Sequence, residues 1–303
     1  MRYRTITDLP TELLHTIFSQ VQNLTSDSWY QWRAPLYSSS LTCKRLRDVS
    51  LEFVFKDTLR VRDITTFEHL IRFLDTNPRA LKRIQSLTLS GTRKYYSGRI
   101  LLETTVDDAL VARVVDRLPN LQIVKLESFL YLPSPSEHHR NHARRPCELR
   151  SLSIRGEWNF QCSVAGLLQV LSLFSAQEMD VNTRWWHLSD SPDDSVPFDV
   201  GSLQLHRSLA PALLHVDAHV HQGPQWSPSL LAALTQSLRP DTLRDLRITI
   251  DSPTAACALG ELLLRAGGSI TALTLHRRAH TQGERDGWVD PLRGTSFSIL
   301  LRH

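Results

Sequence analysis

The chain has 303 residues, and its 35 Lys and Arg against 31 Asp and Glu leave a formal charge of +4 with the two signs interleaved. Hydrophobic residues at 41% and charged residues at 22% allow a sizeable core and exclude wholesale disorder, while no run reaches the roughly 18 apolar residues of a membrane span and no basic stripe with stacking aromatics marks a nucleic-acid surface. Cys43, Cys147, Cys162 and Cys257 lie far apart with no CxxC pair, and "MRYRTITDLP" lacks an apolar signal-peptide centre, which predicts free thiols and a cytoplasmic or nuclear chain.

The first predicted element is a helix over "DLPTELLHTIFSQV", residues 8 to 21. Pro10 with Glu12 close behind is a helix start. Leu9, Leu13, Leu14, Ile17, Phe18 and Val21 recur at steps of one, three and four and form one broad apolar stripe. Burial of each such side chain is worth roughly 1.5–3 kcal/mol, so the stripe needs a cover from this chain or another. "SDSWYQWRAP" follows, with Trp29, Tyr30 and Trp32 read as core of an extended second helix or, alternatively, as added contact surface for a partner. "SSSLTCKRLRDVS" then places Leu41, Cys43, Leu46 and Val49 at helical spacing, with Lys44, Arg45 and Arg47 between them.

From about residue 56 one phrase keeps returning: apolar, two others, apolar, one other, apolar. It is seen as "IQSLTL", "LQIVKL", "LRSLSI", "AQEMDV", "VGSLQL", "PALLHV", "LRDLRITI" and "ITALTL", with "TLRV" (Leu59, Val61) as a degenerate first copy. The alternation at its end has the period of a strand. The central positions 87, 124, 152, 179 and 203 are spaced by 37, 28, 27 and 24, and 214, 246 and 273 by 32 and 27. The step from Leu203 to Leu214 is too short for a whole unit, so one of those two strands is an insertion or part of a hairpin.

Helix signals fill the intervals. Thr65 and Glu68 are spaced as a capping box, with Asn77 and Pro78 as a stop. Asp107 and Asp108 open another helix, and Arg113 and Arg117 close it in agreement with the helix dipole. "SPSLLAALTQSLRP" and "SPTAACALGELLLRAGG" both begin on Ser–Pro, and left-handed geometry at Gly267 and Gly268 is expected to end the second.

A strand and a helix every 24 to 37 residues resembles a leucine-rich-repeat solenoid over roughly residues 56 to 280, although the asparagine that usually follows the phrase is missing. A βαβ sheet of another α/β type also fits the pattern. The opening "LPTELLHTIFSQV" with "LTCKRLRDV" resembles an F-box: Leu–Pro, an acidic residue, paired apolars, then a hydrophobic–x–Cys–basic helix. Leu46 stands where the family often has Trp, and the stretch between the two halves is longer than usual. The expected fold class is therefore α/β: a short all-helical F-box module at 1–55, followed by an irregular leucine-rich-repeat-like solenoid at 56–303.

The F-box resemblance implies docking on the small Skp-family adaptor of a cullin–RING ubiquitin ligase. The contacts carried over are Leu9, Pro10, Leu13, Leu14, Ile17, Phe18 and Val21, with Cys43 as a small packed thiol in support. The solenoid resemblance implies that residues between the buried apolars line a concave face for an unknown target protein, among them Lys125, Arg155, Asp180, His215, Asp217 and Arg247. No cofactor, metal or catalytic residue is expected. A non-ligase interaction scaffold is the alternative reading.

Two constellations invite an enzymatic reading. "LLHVDAHVH" carries His215, Asp217, His219 and His221 in the manner of an amidohydrolase metal strand, yet it starts too late for a barrel to follow, and simple alternation accounts for it. His138, His139, His142 and Cys147 lie in or beside a Pro- and Arg-rich insertion that reads as a solvated loop, as does the segment holding Asp193 and Asp194.

Overall fold

The computed structural model describes residues 6–24, 33–54, 58–96, 99–132, 145–158, 164–185, 209–220, 226–250, 253–277 and 296–300. A 3-10 turn at Ile6–Asp8 leads into helices α1 (Thr11–Leu24), α2 (Arg33–Thr42) and α3 (Lys44–Val54). Strand β1 (Thr58–Ile64) is followed by α4 (Glu68–Thr76), the short α5 (Pro78–Leu81) and β2 (Ser86–Gly91). A hairpin of β3 (Arg93–Tyr96) and β4 (Arg99–Leu102) precedes β5 (Thr105–Val106), α6 (Asp108–Val115), β6 (Ile123–Glu127) and β7 (Leu130–Tyr131). Then come β8 (Cys147–Trp158), α7 (Val164–Leu171), β9 (Phe174–Trp185) and β10 (Leu213–Val220). The remaining elements are α8 (Trp226–Ser237), β11 (Asp245–Ile250), α9 (Pro253–Ala266), β12 (Ala272–Arg277) and β13 (Ser296–Leu300).

Nine strands form one sheet in the order β1-β2-β6-β8-β9-β10-β11-β12-β13. Eight run parallel, and β13 pairs antiparallel to β12. The apolar phrase explains the register. Leu59, Leu87, Val124, Leu152, Met179, Leu214, Leu246 and Leu273 stand opposite one another from strand to strand. All eight are buried. A one-residue slip of any strand would turn its apolar set to the other face, so the pattern itself specifies the pairing.

This architecture corrects the expected fold class. The chain is an α/β body built on a mostly parallel sheet, not a short all-helical module followed by a solenoid. Leu14 and Phe18 of α1, Leu36 of α2 and Leu46, Val49, Phe53 and Val54 of α3 belong to the same buried cluster as the strands. The physical reason is that a recurring apolar–x–apolar phrase specifies a strand and its buried face but not the assembly those strands enter. The uneven intervals between copies were equally compatible with a βαβ sheet.

Local signals also resolve differently from expectation. The cap position of α4 is Phe67, with no side-chain cap bond, because the helix begins at Glu68 and leaves Thr65 too far upstream. Phe67 is buried instead, its ring 5.8 Å from that of Phe129. Asn77 does stop α4, donating from Nδ2 to the Phe73 carbonyl at 2.8 Å, and Pro78 opens α5. Asp107 caps α6, its carboxylate accepting from the Leu110 amide at 2.7 Å. α8 starts at Trp226, one residue before the Ser–Pro pair. Neither Gly267 nor Gly268 takes a left-handed φ; a Cβ at Gly267 would instead meet the Leu263 carbonyl oxygen at 2.3 Å. "VGSLQL" lies outside the described residues, and β10 alone follows β9 in the sheet.

Candidate functional site

The stripe of α1 divides between two surroundings. Leu14 and Phe18, one turn apart, are 0% and 4% exposed, and Phe18 meets Phe53 of α3 edge-on at 6.0 Å. Leu13 and Ile17 form the neighbouring ridge and remain 49% and 37% exposed. Ile6 and Leu41 are exposed too, so four of the six large apolar side chains left exposed among the described residues fall within residues 6–41. Leu9 and Val21 are half-buried, and Pro10 is exposed. The seven apolar contacts implied by the F-box resemblance thus divide: Leu14 and Phe18 close the chain's own core, while Pro10, Leu13 and Ile17 face outward.

Cys43 sits between α2 and α3 rather than inside one helix. Its Sγ accepts from the Leu46 amide at 3.5 Å and its carbonyl from the Arg47 amide at 2.9 Å, so it serves as the cap of α3 while half-buried against the core. Arg45 fastens the chain entering α1, donating to the Thr7 and Leu9 carbonyls at 2.8 and 2.6 Å. Glu52 of α3 pairs with Arg83 at 2.8 Å and lies 3.8 Å from His15 of α1. These bonds hold α1 in one orientation on the body, with the Leu13–Ile17 ridge turned out.

The second surface is the polar face of the sheet. Lys125, Ser153, Asp180, His215 and Arg247 stand in register on β6, β8, β9, β10 and β11. The Asp180 carboxylate collects three donors: Arg155 at 2.8 Å, His215 Nδ1 at 2.9 Å and the Ser153 hydroxyl at 3.1 Å. Burial opposes the charge on Asp180 and is the largest influence, but the hydrogen bonds from His215 and Arg155 together outweigh it and bring the carboxyl to about 2. The same hydrogen bond raises His215 above the ordinary imidazole range, against burial. Asp217 accepts from Asn182 at 3.4 Å, and Arg247 pairs with Asp245 of its own strand at 2.9 Å. Of the six face residues expected, the structure joins Arg155, Asp180 and His215 in one network, gives Asp217 and Arg247 other partners, and leaves Lys125 exposed.

The network joins a guanidinium, an imidazole and a hydroxyl on one carboxylate. Ser153 donates to Asp180 and not to His215, so among the described residues no hydroxyl is aligned on the imidazole. No three His, Cys, Asp or Glu side chains converge as a metal cage among those residues. The side chain of His219, and His138, His139, His142, Asp193, Asp194 and His221 entirely, lie outside them, as do Trp29, Tyr30, Trp32 and Cys162. No helix among the described residues is long and apolar enough to cross a membrane.

Arg60 of β1 also stands on this surface, and sequence reasoning missed it. Arg60 stands opposite Thr88, which stands opposite Lys125. The signal is in "TLRV", which puts Arg60 between Leu59 and Val61 as "VKL" puts Lys125 between Val124 and Leu126. Compared with models of protein families and with curated proteins, the chain matches none.

Proposed function

We propose that this chain is a substrate-recognition adaptor of a Skp–cullin–F-box ubiquitin ligase, working in the cytoplasm or nucleus. In this reading α1 docks on the Skp-family adaptor and the polar sheet face holds a target protein. The observation that carries it is the division of α1: Leu13 and Ile17 stay open one turn apart while Leu14 and Phe18 complete the core. A helix needed only for its own chain has no use for a second apolar ridge in water. The resemblance of "LPTELLHTIFSQV" and "LTCKRLRDV" to an F-box names the partner that such a ridge fits. The chain supplies no reactive group; it raises the effective concentration of target lysines near a charged conjugating enzyme.

Burial of Leu14 and Phe18 favours a second reading, in which the helix serves the fold and the chain is a non-ligase interaction scaffold. Co-expression with a Skp-family adaptor separates the two. Wild type should co-purify, and Leu13→Asp with Ile17→Asp should abolish capture while the circular dichroism spectrum stays native. Failure of wild type to co-purify overturns the ligase reading, and loss of native structure in the double variant favours the scaffold.

A further inference from the structure

We propose that the sheet face above β2 binds an extended acidic protein segment. The inference rests on the reading that this face holds the target, and is independent of the adaptor contact. Arg60 of β1 is exposed on one side of β2, and Lys125 of β6 is exposed on the other. Between them β2 presents only Thr88 and Ser90. Short hydroxyl side chains flanked by long cationic ones make a trough, and strands two places apart leave about 10 Å for it, room for one extended chain.

Its charge differs from that of the rest of the face. Arg155 is engaged by Asp180 and Arg247 by Asp245. Arg60 and Lys125 have no carboxylate within ion-pair distance among the described residues, and the acids near them on these strands are Asp63 and Glu127. Two unneutralised cations on either side of a hydroxyl floor complement carboxylates. A nucleic acid would call for aromatic stacking surfaces, and the polar positions of β1, β2 and β6 hold Arg, Thr, Ser, Lys and Glu instead.

The test uses the full chain and a fluorescein-labelled decapeptide of alternating Glu and Ser, followed by anisotropy at about 50 mM salt. Binding is expected and should weaken as salt rises. Arg60→Glu and Lys125→Glu should each weaken it roughly three- to tenfold, and Glu127→Lys should tighten it by a similar factor. Arg265→Glu, at an exposed position of helix α9, should leave it unchanged. Absence of binding by folded wild type at millimolar peptide overturns the proposal, as does equal affinity for a Lys–Ser peptide or indifference to all three trough variants. Tighter binding of oligo(dT) than of the peptide assigns the trough to nucleic acid instead. Adaptor co-purification of wild type keeps the two readings apart: capture without peptide binding sinks this inference alone, and peptide binding without capture sinks the ligase reading alone.

Discussion

Replacing Asp180 with Asn removes the carboxylate on which β8, β9 and β10 converge. Its carboxyl is held at about 2 against an ordinary 3.8, because hydrogen bonds from His215 and Arg155 outweigh the cost of burial. A displacement of that size corresponds to about 2 kcal/mol between the protonation states. Arg155 is 61% exposed and its share is screened, which brings the working figure to about 1–2 kcal/mol. The two partners contribute over different ranges of pH. The folded pKa of Asp180 is depressed, so its contribution is present above about pH 4 and is lost as pH falls toward about 2. The folded pKa of His215 is raised above 6.5 by its bond to Asp180, against burial, with the Asp180 and Asp217 charges adding and Arg247 subtracting. Its contribution is therefore complete below about pH 6.5 and is lost as pH rises through the raised value. Urea unfolding of wild type and Asp180→Asn should differ most between about pH 4 and about pH 6.5, less at about pH 3, and less again once the pH has risen through the raised value of His215, where only the arginine's share survives. In parallel, an NMR titration of His215 should move down toward 6.5 in the variant. A stability difference independent of pH, or a His215 titration that ignores the substitution, would refute the linkage.

Leu14→Ala should cost about 2–5 kcal/mol, because its fully buried side chain leaves a cavity. Leu13→Ala, one residue away but half in water, should cost less than about 1 kcal/mol; equal losses in urea titrations would mean that the two ridges are not distinct. Asp107→Ala strips the Leu110 amide of its cap and should cost about 0.5–2 kcal/mol, with Asp107→Ser restoring most of it in thermal melts.

The strands were legible because their information is local. Leu87, Val124, Leu152 and Met179 announce a buried face within six-residue windows, and the same phase places Lys125, Ser153 and Asp180 opposite each other on the polar side. Partnership over distance was not legible. Leu13 and Leu14 are the same residue type on the same helix, and only the packing of α1 on α3 and the rest of the core decides which is covered. Helical spacing could not show that Cys43 interrupts the second element, since a break needs one residue and a stripe averages over many. The meeting of Arg155 and His215 on Asp180 depends on rotamers that no spacing encodes. The antiparallel β13 escaped notice because "SFSIL" is too short to state a direction.

Among the described residues β1 pairs with β2 on one side only. The outer edge of a parallel sheet exposes backbone groups that any other extended chain can pair with, including a second copy of the same strand. Here the regular run is brief: register slips between Val61 and Ile64, where Asp63 adopts a φ of 53°. The intact remainder, Thr58 to Val61, spans about 13 Å and bears Arg60, with Arg62 just past it. Two edges brought together would set these arginines against their counterparts. These charges therefore keep molecules from joining edge to edge. Glu at either position preserves that protection, whereas Arg60→Val with Arg62→Val would leave an uninterrupted apolar run and select for self-association.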